Sequence, residues 1–409
     1  MSKGSVIKRP HKDGAGYSWL VKYDAAPCPV SGERRQRYKT VNGSKKEAEK
    51  KLRFLLSQVD NGTAVDPTKE TVAEWLRRWL TDYAPMNCSS GATLERYGQL
   101  IEKHVIPSLG SVALQKLHSG AVQGLYASKL KDGRLNGEGG LSKRTVHHLH
   151  RCLSTSLKVA VSEGLISTNP CDRAKTVKPD KSDIQCLDDE QTKVMLEAAA
   201  DSRSATIYPL IVLAVTSAMR RGEIAALKWR DIDLDEGYLW VKKTLEDTKE
   251  HGLVLKQPKT ETSKRKIHLP PRAVSALLAH RSEQNALRLR LGFGRDGDRY
   301  VFETFRDDQF GPVRPRALTK MFGSFIAGVD VPRITLHGLR HTAATSAIRA
   351  GENIVAVSKR LGHAQVSITL DVYTHYISGD DEDIAANWEK RFSETSTAEQ
   401  TCSPDLRTL

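Results

Sequence analysis

Five residues between Thr335 and His375 have the types and spacing to do chemistry: His337, Arg340, His341, His363 and Tyr373. A tyrosine hydroxyl titrates near 10 and is a poor nucleophile at neutral pH. Cations around it both lower that pKa and hold an anion for it to attack, so a tyrosine among basic groups suits attack on a phosphodiester. His337 and Arg340 stand three apart on one expected helix and share a face. His363 follows Leu-Gly before another helix, and Tyr373 comes ten residues later. His337 and His341 are also at i, i+4, a zinc spacing. The stretch lacks the adjacent glutamate of HExxH and a third ligand at a usual distance, so no metal and no cofactor are expected. Arg221 and His341 are expected to point away from the chemistry, because adjacent helical residues diverge by about 100°.

Two further clusters contribute cations. In TSAMRRGEIAAL, Arg220 opens a helix directly after an apolar run, and Glu223 at i+3 is placed to pair with it and fix its fork. A surface ion pair is the plainer alternative. In PKTETSKRKIHL, Lys259 sits in a Pro-Lys-Thr turn between two strands, where an ammonium can protonate a departing alkoxide. The same lysines and arginines can equally be solvated charge.

These clusters must be held by elements that the rest of the chain supplies. The protein has 409 residues and a net charge of +14, enough for two or three domains. The excess charge is all at the front. Residues 1–53 hold 14 Lys/Arg against 5 Asp/Glu, residues 69–179 hold 16 against 9, and the chain from 180 onward is balanced at 33 each. That asymmetry points to a polyanion, most simply nucleic acid. The longest apolar run, Ile207 to Val215, contains Pro209 and is too short to span a bilayer, and the N-terminus lacks a signal-peptide stretch. The six cysteines are scattered and read as reduced thiols in a cytoplasmic protein.

The expected fold class is multidomain, mainly α with small β-sheets. YSWLVKY and RQRYKTV form a hairpin, followed by a helix from Ser44 through Leu56 with a capping box to Glu47. Arg34, Arg35, Arg37 and Lys39 on the second strand are candidate DNA contacts. Residues 69–175 read as an all-helical bundle, in which Lys143 and Arg144 open a long basic helix and are further candidates. The remainder is a larger, mainly helical domain with a strand insert over Gly237–Leu269. A helix is expected over 380–392 and a disordered tail over 394–409.

MRRGEIAALKWRDID, PKTETSKRKIHLP, LHGLRHTAAT and LGHAQVSITLDVYTHY resemble, in order, the boxes of the tyrosine recombinase (phage integrase) family. The resemblance covers residues 185–378. It extends to residues 1–60 as an arm-type DNA-binding domain, 69–175 as a core-binding domain and 184–393 as the catalytic domain. It implies that Arg220, Lys259, His337, Arg340 and His363 surround one scissile phosphate, with Glu223 in support. Tyr373 attacks to form a 3′-phosphotyrosyl link, His337 moves its proton, His363 donates a hydrogen bond and Lys259 protonates the 5′-oxygen. Tyr376 is the alternative nucleophile. The implied partners are double-stranded DNA at core and arm sites, a homotetramer in the synaptic complex, a recombination directionality factor and a DNA-bending host protein, without a membrane. The implied activity is integration, and with a helper excision, of a phage or mobile element. The alternatives are a type IB topoisomerase-like relaxing activity and an inactive DNA-binding protein. Helix 380–392 docks either on a neighbouring protomer or on its own domain. One departure stands out: the family commonly has Gly two residues before the first arginine, and this chain has Ala218.

Overall fold

The computed structural model describes residues 3–10, 16–25, 33, 35–60, 65–88, 90–180, 185–257, 263–294, 298–374 and 388. The expectations for Lys259, Arg34 and Tyr376, for tail 394–409 and for helix 380–392 apart from Trp388 lie outside the described residues. Two compact units are present, residues 1–181 and 182–409. Both are mainly helical with small antiparallel sheets.

The first unit opens with strands β1 (Gly4–Pro10), β2 (Tyr17–Ala25) and β3 (Arg35–Val41), in the order β1-β2-β3. β1 was not expected from GSVIKRP. Val6 stands opposite Val21, and the edge position tolerates Pro10, whose missing N–H faces no partner strand. Helix α1 (Lys45–Asp60) runs four residues past the expected end. Its start carries the expected reciprocal cap, Ser44 N–H to Glu47 Oε2 at 2.8 Å and Glu47 N–H to Ser44 Oγ at 3.3 Å. Val21, Ala48 and Leu55 form the small core between sheet and helix.

The helical bundle follows as α2 (Val72–Arg78), α3 (Ala84–Asn87), α4 (Gly91–Leu100), α5 (Ile106–Leu109), α6 (Ser119–Asp132) and α7 (Lys143–Ser162). Wide π-type turns at Trp79–Tyr83 and Ile101–Val105 interrupt the helices. Pro85 and Pro107 stand just beyond them. Each removes a donor and crowds the carbonyl four residues back, which widens the preceding turn. α7 buries Val146, Leu149, Leu153 and Leu157 at helical spacing and leaves Val161 half-buried, and Trp75 Nε1–H donates to Ser156 Oγ at 3.0 Å across the bundle.

The second unit contains α8 (Asp189–Ala200), α9 (Ile207–Ser217), α10 (Arg221–Ala226), β4 (Ile232–Asp233), β5 (Tyr238–Val241), β6 (Thr244–Thr248), β7 (Gly252–Lys256) and β8 (Arg265–His268). It continues through α11 (Pro271–Arg290), β9 (Glu303–Arg306), β10 (Gln309–Pro312), α12 (Pro315–Ile326), α13 (Leu336–Arg349), α14 (Ile354–Leu361) and α15 (Val366–Tyr373). α9 is the buried axis, with Leu210, Ile211, Val212 and Leu213 almost free of solvent. The strand insert is split between the sheet β4-β5-β8 and the hairpin β6-β7. The sequence hid β6, because TLEDT carries two acids in five residues. It also hid the β9–β10 hairpin, whose two-residue loop places Asp307 and Asp308 at φ 50° and 57°. Aspartate tolerates that left-handed loop better than most residues.

Among the described residues no helix is long and apolar enough to cross a membrane. None of their His, Cys, Asp and Glu residues form a group of three or more able to hold a metal. Among the described residues, Cys88, Cys152, Cys171 and Cys186 stand outside any disulfide.

Leu153 is fully buried in the bundle. Leu153→Ala is expected to cost about 3 kcal/mol, read as a lower denaturant midpoint at unchanged slope. A loss under about 1 kcal/mol would show that α7 is not the packed centre described.

Candidate active site

Three guanidiniums converge on the C-terminal end of α14. Arg265 Nε–H donates to Arg360 O at 2.7 Å, Arg340 Nη2–H to Leu361 O at 2.7 Å and Arg220 Nη2–H to Gly362 O at 3.2 Å. The last carbonyls of a helix have no partners within it and carry the negative end of its dipole, so cations are stabilised there. Gly362 closes the helix at φ 66°. A Cβ at that position would lie 2.9 Å from Arg265 Nη1, so glycine serves both the left-handed turn and the close approach.

Glu223 is the carboxylate that ties the cluster. It accepts from Arg220 Nη1 at 3.0 Å and from the Arg220 backbone N–H at 2.9 Å. It also accepts from Arg265 Nη2 at 2.8 Å and Nη1 at 3.3 Å. Burial pushes its carboxyl up, but the hydrogen bonds and charge of Arg265, then Arg220, outweigh it and leave the pKa below the usual range. Arg340, 3 % exposed, receives no carboxylate: its other bond goes from Nη1 to Ala218 O at 2.7 Å. Burial first, then Arg220, pulls its guanidinium down to about 9, which leaves it cationic at neutral pH. Three cations around one carboxylate leave a partly buried excess of positive charge, and an anion is what would neutralise it.

The Ala218 carbonyl is aimed by an unusual backbone. Ala218 caps α9 at φ 53°, ψ 27°, the left-handed region, and the chain then turns directly into Arg220 at the start of α10. The departure from glycine noted in the sequence therefore falls at a position that does require positive φ. Alanine adopts it at a cost of about 1 kcal/mol, offset by packing of its methyl against Ala344, Leu361 and Tyr373.

Arg220 and Arg340 line a pocket of about 610 Å³, together with Glu223, His337, His341, His363 and Tyr373. Arg220, Glu223, His337, Arg340, His363 and Tyr373 are thus brought together, and Lys259 lies outside the described residues. His363 Nδ1 is 2.8 Å from Thr369 Oγ1. Desolvation first, then Arg340 and Arg220, pushes His363 down to about 4, so it is neutral at physiological pH. His337 is lowered by the same kinds of influence.

Two corrections follow. His341 does not point away: its Nδ1 lies 2.7 Å from the Tyr373 hydroxyl. Arg340 and His341 diverge by about 100°, but they flank His337 on either side, and the pocket covers the whole arc. Arg221 does leave the pocket, reaching Thr319 Oγ1 at 3.3 Å. Arg265 was not singled out at all. The signal was available, since in RKIH the buried positions alternate and Arg265 shares the inner face with Ile267.

The candidate DNA contacts are placed unevenly. Arg35, Arg37 and Lys39 stand opposite Ala25, Tyr23 and Val21, on the face of the sheet that carries α1. Arg35 and Arg37 pair with Asp66 at 3.1 and 2.5 Å. The opposite, open face bears Arg9, Lys22, Tyr38 and Thr40, with Tyr38 56 % exposed. Lys143 pairs with Asp180 at 2.8 Å, and Arg144 is exposed.

Fold and pocket together define a class: a mainly helical protein with an arginine-lined pocket beside a tyrosine hydroxyl. Residues 185–378 match the phage integrase family model, and residues 71–130 match that of the phage integrase N-terminal SAM-like domain. The chain belongs to the phage integrase family of tyrosine recombinases. A tyrosine recombinase XerC-like protein of Caldanaerobacter subterraneus subsp. tengcongensis is 28% identical, over 82% of this chain and 86% of the relative. The ICEBs1 integrase of Bacillus subtilis is 28% identical over 61% of this chain and 66% of its own length. The fold is similar to that of the Tn1549 transposon integrase solved in complex with a circular intermediate DNA. The TM-score there is 0.62 at 20% identity, over 78% of this chain and 99% of that one. A lambda integrase tetramer bound to a Holliday junction matches at TM-score 0.53 and 17% identity, over 88% of this chain and 96% of that one.

Glu223→Gln is expected to destabilise the second unit by about 3 kcal/mol, because it leaves buried guanidiniums short of their counter-charge. The folded pKa lies below the ordinary 4.5, so this contribution is complete above the usual glutamate range and is lost as pH falls through the folded value. The stability gap between wild type and variant should therefore close in acid; a gap that is flat with pH would refute the ion-pair account. Ala218→Val should be far more damaging than Ala218→Gly, since a β-branched residue resists φ 53°. Thermal melting of the two variants checks this, and equal melting points would contradict it.

Proposed function

We propose that this chain is an integrase that cuts and rejoins DNA at specific sites through a 3′-phosphotyrosyl intermediate. It inserts a phage or mobile element and, with a directionality factor, excises it. The observation that carries the reading is the convergence of three guanidiniums on the carbonyls that end α14, two of them tied by Glu223, with a tyrosine hydroxyl opening on the adjoining pocket.

Arg220 and Arg340 are pre-positioned by carbonyl bonds and hold the non-bridging oxygens, whose charge grows in the transition state. Tyr373 attacks phosphorus and the 5′-oxygen leaves. With Thr369 donating to Nδ1, neutral His363 keeps its Nε2–H for the phosphate. His337 is a proton carrier at the pocket, and Lys259 serves as the acid for the 5′-oxygen. The phosphotyrosine preserves the energy of the broken bond, so neither ATP nor a metal enters the scheme.

Residues 1–60 act as an arm-type DNA-binding domain, 69–175 as the core-binding domain and 184–393 as the catalytic domain. The open face of the β1-β2-β3 sheet, with Arg9, Lys22 and Tyr38, is the groove-facing side, while Arg35, Arg37, Lys39, Lys143 and Arg144 contact backbone phosphates. Recombination engages four protomers on two duplexes in the host cytoplasm, assisted by a DNA-bending host protein.

The recombination site is first selected from random-sequence duplexes and then built into a nicked suicide substrate in EDTA. Wild type should form a denaturant-resistant adduct and Tyr373→Phe none. Arg220→Ala and Arg340→Ala should each slow adduct formation by about 10²–10³. An undiminished adduct in Tyr373→Phe would refute Tyr373 as nucleophile, and bound DNA without an adduct in wild type would refute the enzyme reading.

A further inference from the structure

We propose that His341 is the immediate acceptor of the Tyr373 proton during strand cleavage and returns it during rejoining. This rests on the nucleophile assignment above. The geometry is direct: His341 Nδ1 lies 2.7 Å from the tyrosine oxygen and the two ring centroids are 5.8 Å apart. That is the distance of a short hydrogen bond suited to proton transfer without rearrangement.

The surroundings decide which way the proton lies. His341 is faced by His337 and Arg340 from its own helix α13, by Tyr373 from α15, and by His363 from the turn between α14 and α15. The His337 ring meets it edge-on at 5.0 Å. Its charged form is disfavoured by desolvation first and by His337 and Arg340 next, which takes it down to about 4. A neutral imidazole has one lone-pair nitrogen, and here Nδ1 can accept the tyrosine O–H. Tyr373, 1 % exposed, has its ring packed among Ala218, Ala344, Ile348, Val357 and Leu361, so the hydroxyl is the end that reaches the pocket.

The low basicity of His341 then acts as a safeguard. A diester carries one negative charge, and its arrival beside Arg340 opposes the positive charge that, after desolvation, disfavours the His341 imidazolium. The imidazole thus becomes a competent base when substrate is present. In the cleavage step the bond from phosphorus to Tyr373 Oη forms, and the bond to the 5′-oxygen breaks. The tyrosine proton passes to His341 Nδ1, and the 5′-oxygen takes its proton from the acid assigned to Lys259. Rejoining reverses each transfer. His337 supports the imidazolium's orientation and the phosphate, rather than touching the hydroxyl first.

The test measures the rate of adduct formation on the suicide substrate from pH 5 to 9. It compares wild type, His341→Gln, His341→Ala and His337→Gln, with far-ultraviolet circular dichroism to confirm folding. Glutamine can still accept a hydrogen bond from Tyr373 but cannot take its proton. His341→Gln should bind DNA as wild type does, yet form the adduct about 100-fold more slowly and lose the acid limb of the profile. Added imidazole should restore part of the rate to His341→Ala. A His341→Gln rate within threefold of wild type with an unchanged profile overturns the proposal. So does an acid limb that disappears only in His337→Gln. Should wild type itself bind the DNA yet form no adduct, the enzyme reading fails instead, and that result is distinct from either.

Discussion

The site depends on one helix terminus. α14 ends in three successive carbonyls, of Arg360, Leu361 and Gly362, and each receives a different arginine. The three come from distant places in the chain: Arg220 from the start of α10, Arg265 from β8 and Arg340 from α13. Orphan carbonyls at the negative end of a helix dipole give these cations a fixed address without neutralising them. A single carboxylate, Glu223, then ties two of them together, and the positive charge left over is what an anion would neutralise.

That constraint explains features that look unrelated. Gly362 is needed because the helix must stop in a left-handed turn directly beside Arg265. Ala218 bears backbone strain because its carbonyl is the second anchor for Arg340. The depressed basicity of His337, His341 and His363 follows from desolvation first and from the neighbouring positive charge second. The cations of the pocket are thus held in place by the protein's own carbonyls and one carboxylate.

Much of this was legible in the sequence. Periodicity showed the helical bundle, the capping box marked Ser44 as a helix start, and the family resemblance gathered Arg220, Glu223, His337, Arg340, His363 and Tyr373 into one site. What escaped was set by tertiary contacts. Arg265 looked like one more cation in a basic turn until strand parity put it on the inner face. His341 was dismissed on helical angle alone, although a broad pocket can collect residues from more than a quarter of a helix. The arginines of β3 read as groove contacts, but pairing with β2 turned them toward α1 and Asp66. Hairpin β9–β10 carried no strand pattern beyond its two aspartates at the loop.

The account makes one hydroxyl the seat of covalent chemistry, and mapping the adduct tests that most directly. Wild-type protein trapped on the suicide substrate would be digested with protease, and the DNA-linked peptide identified by mass spectrometry. The predicted result is a 3′-phosphate on Tyr373, in the peptide that contains Asp371 and Val372. A phosphate on any other side chain, Tyr376 included, would contradict it.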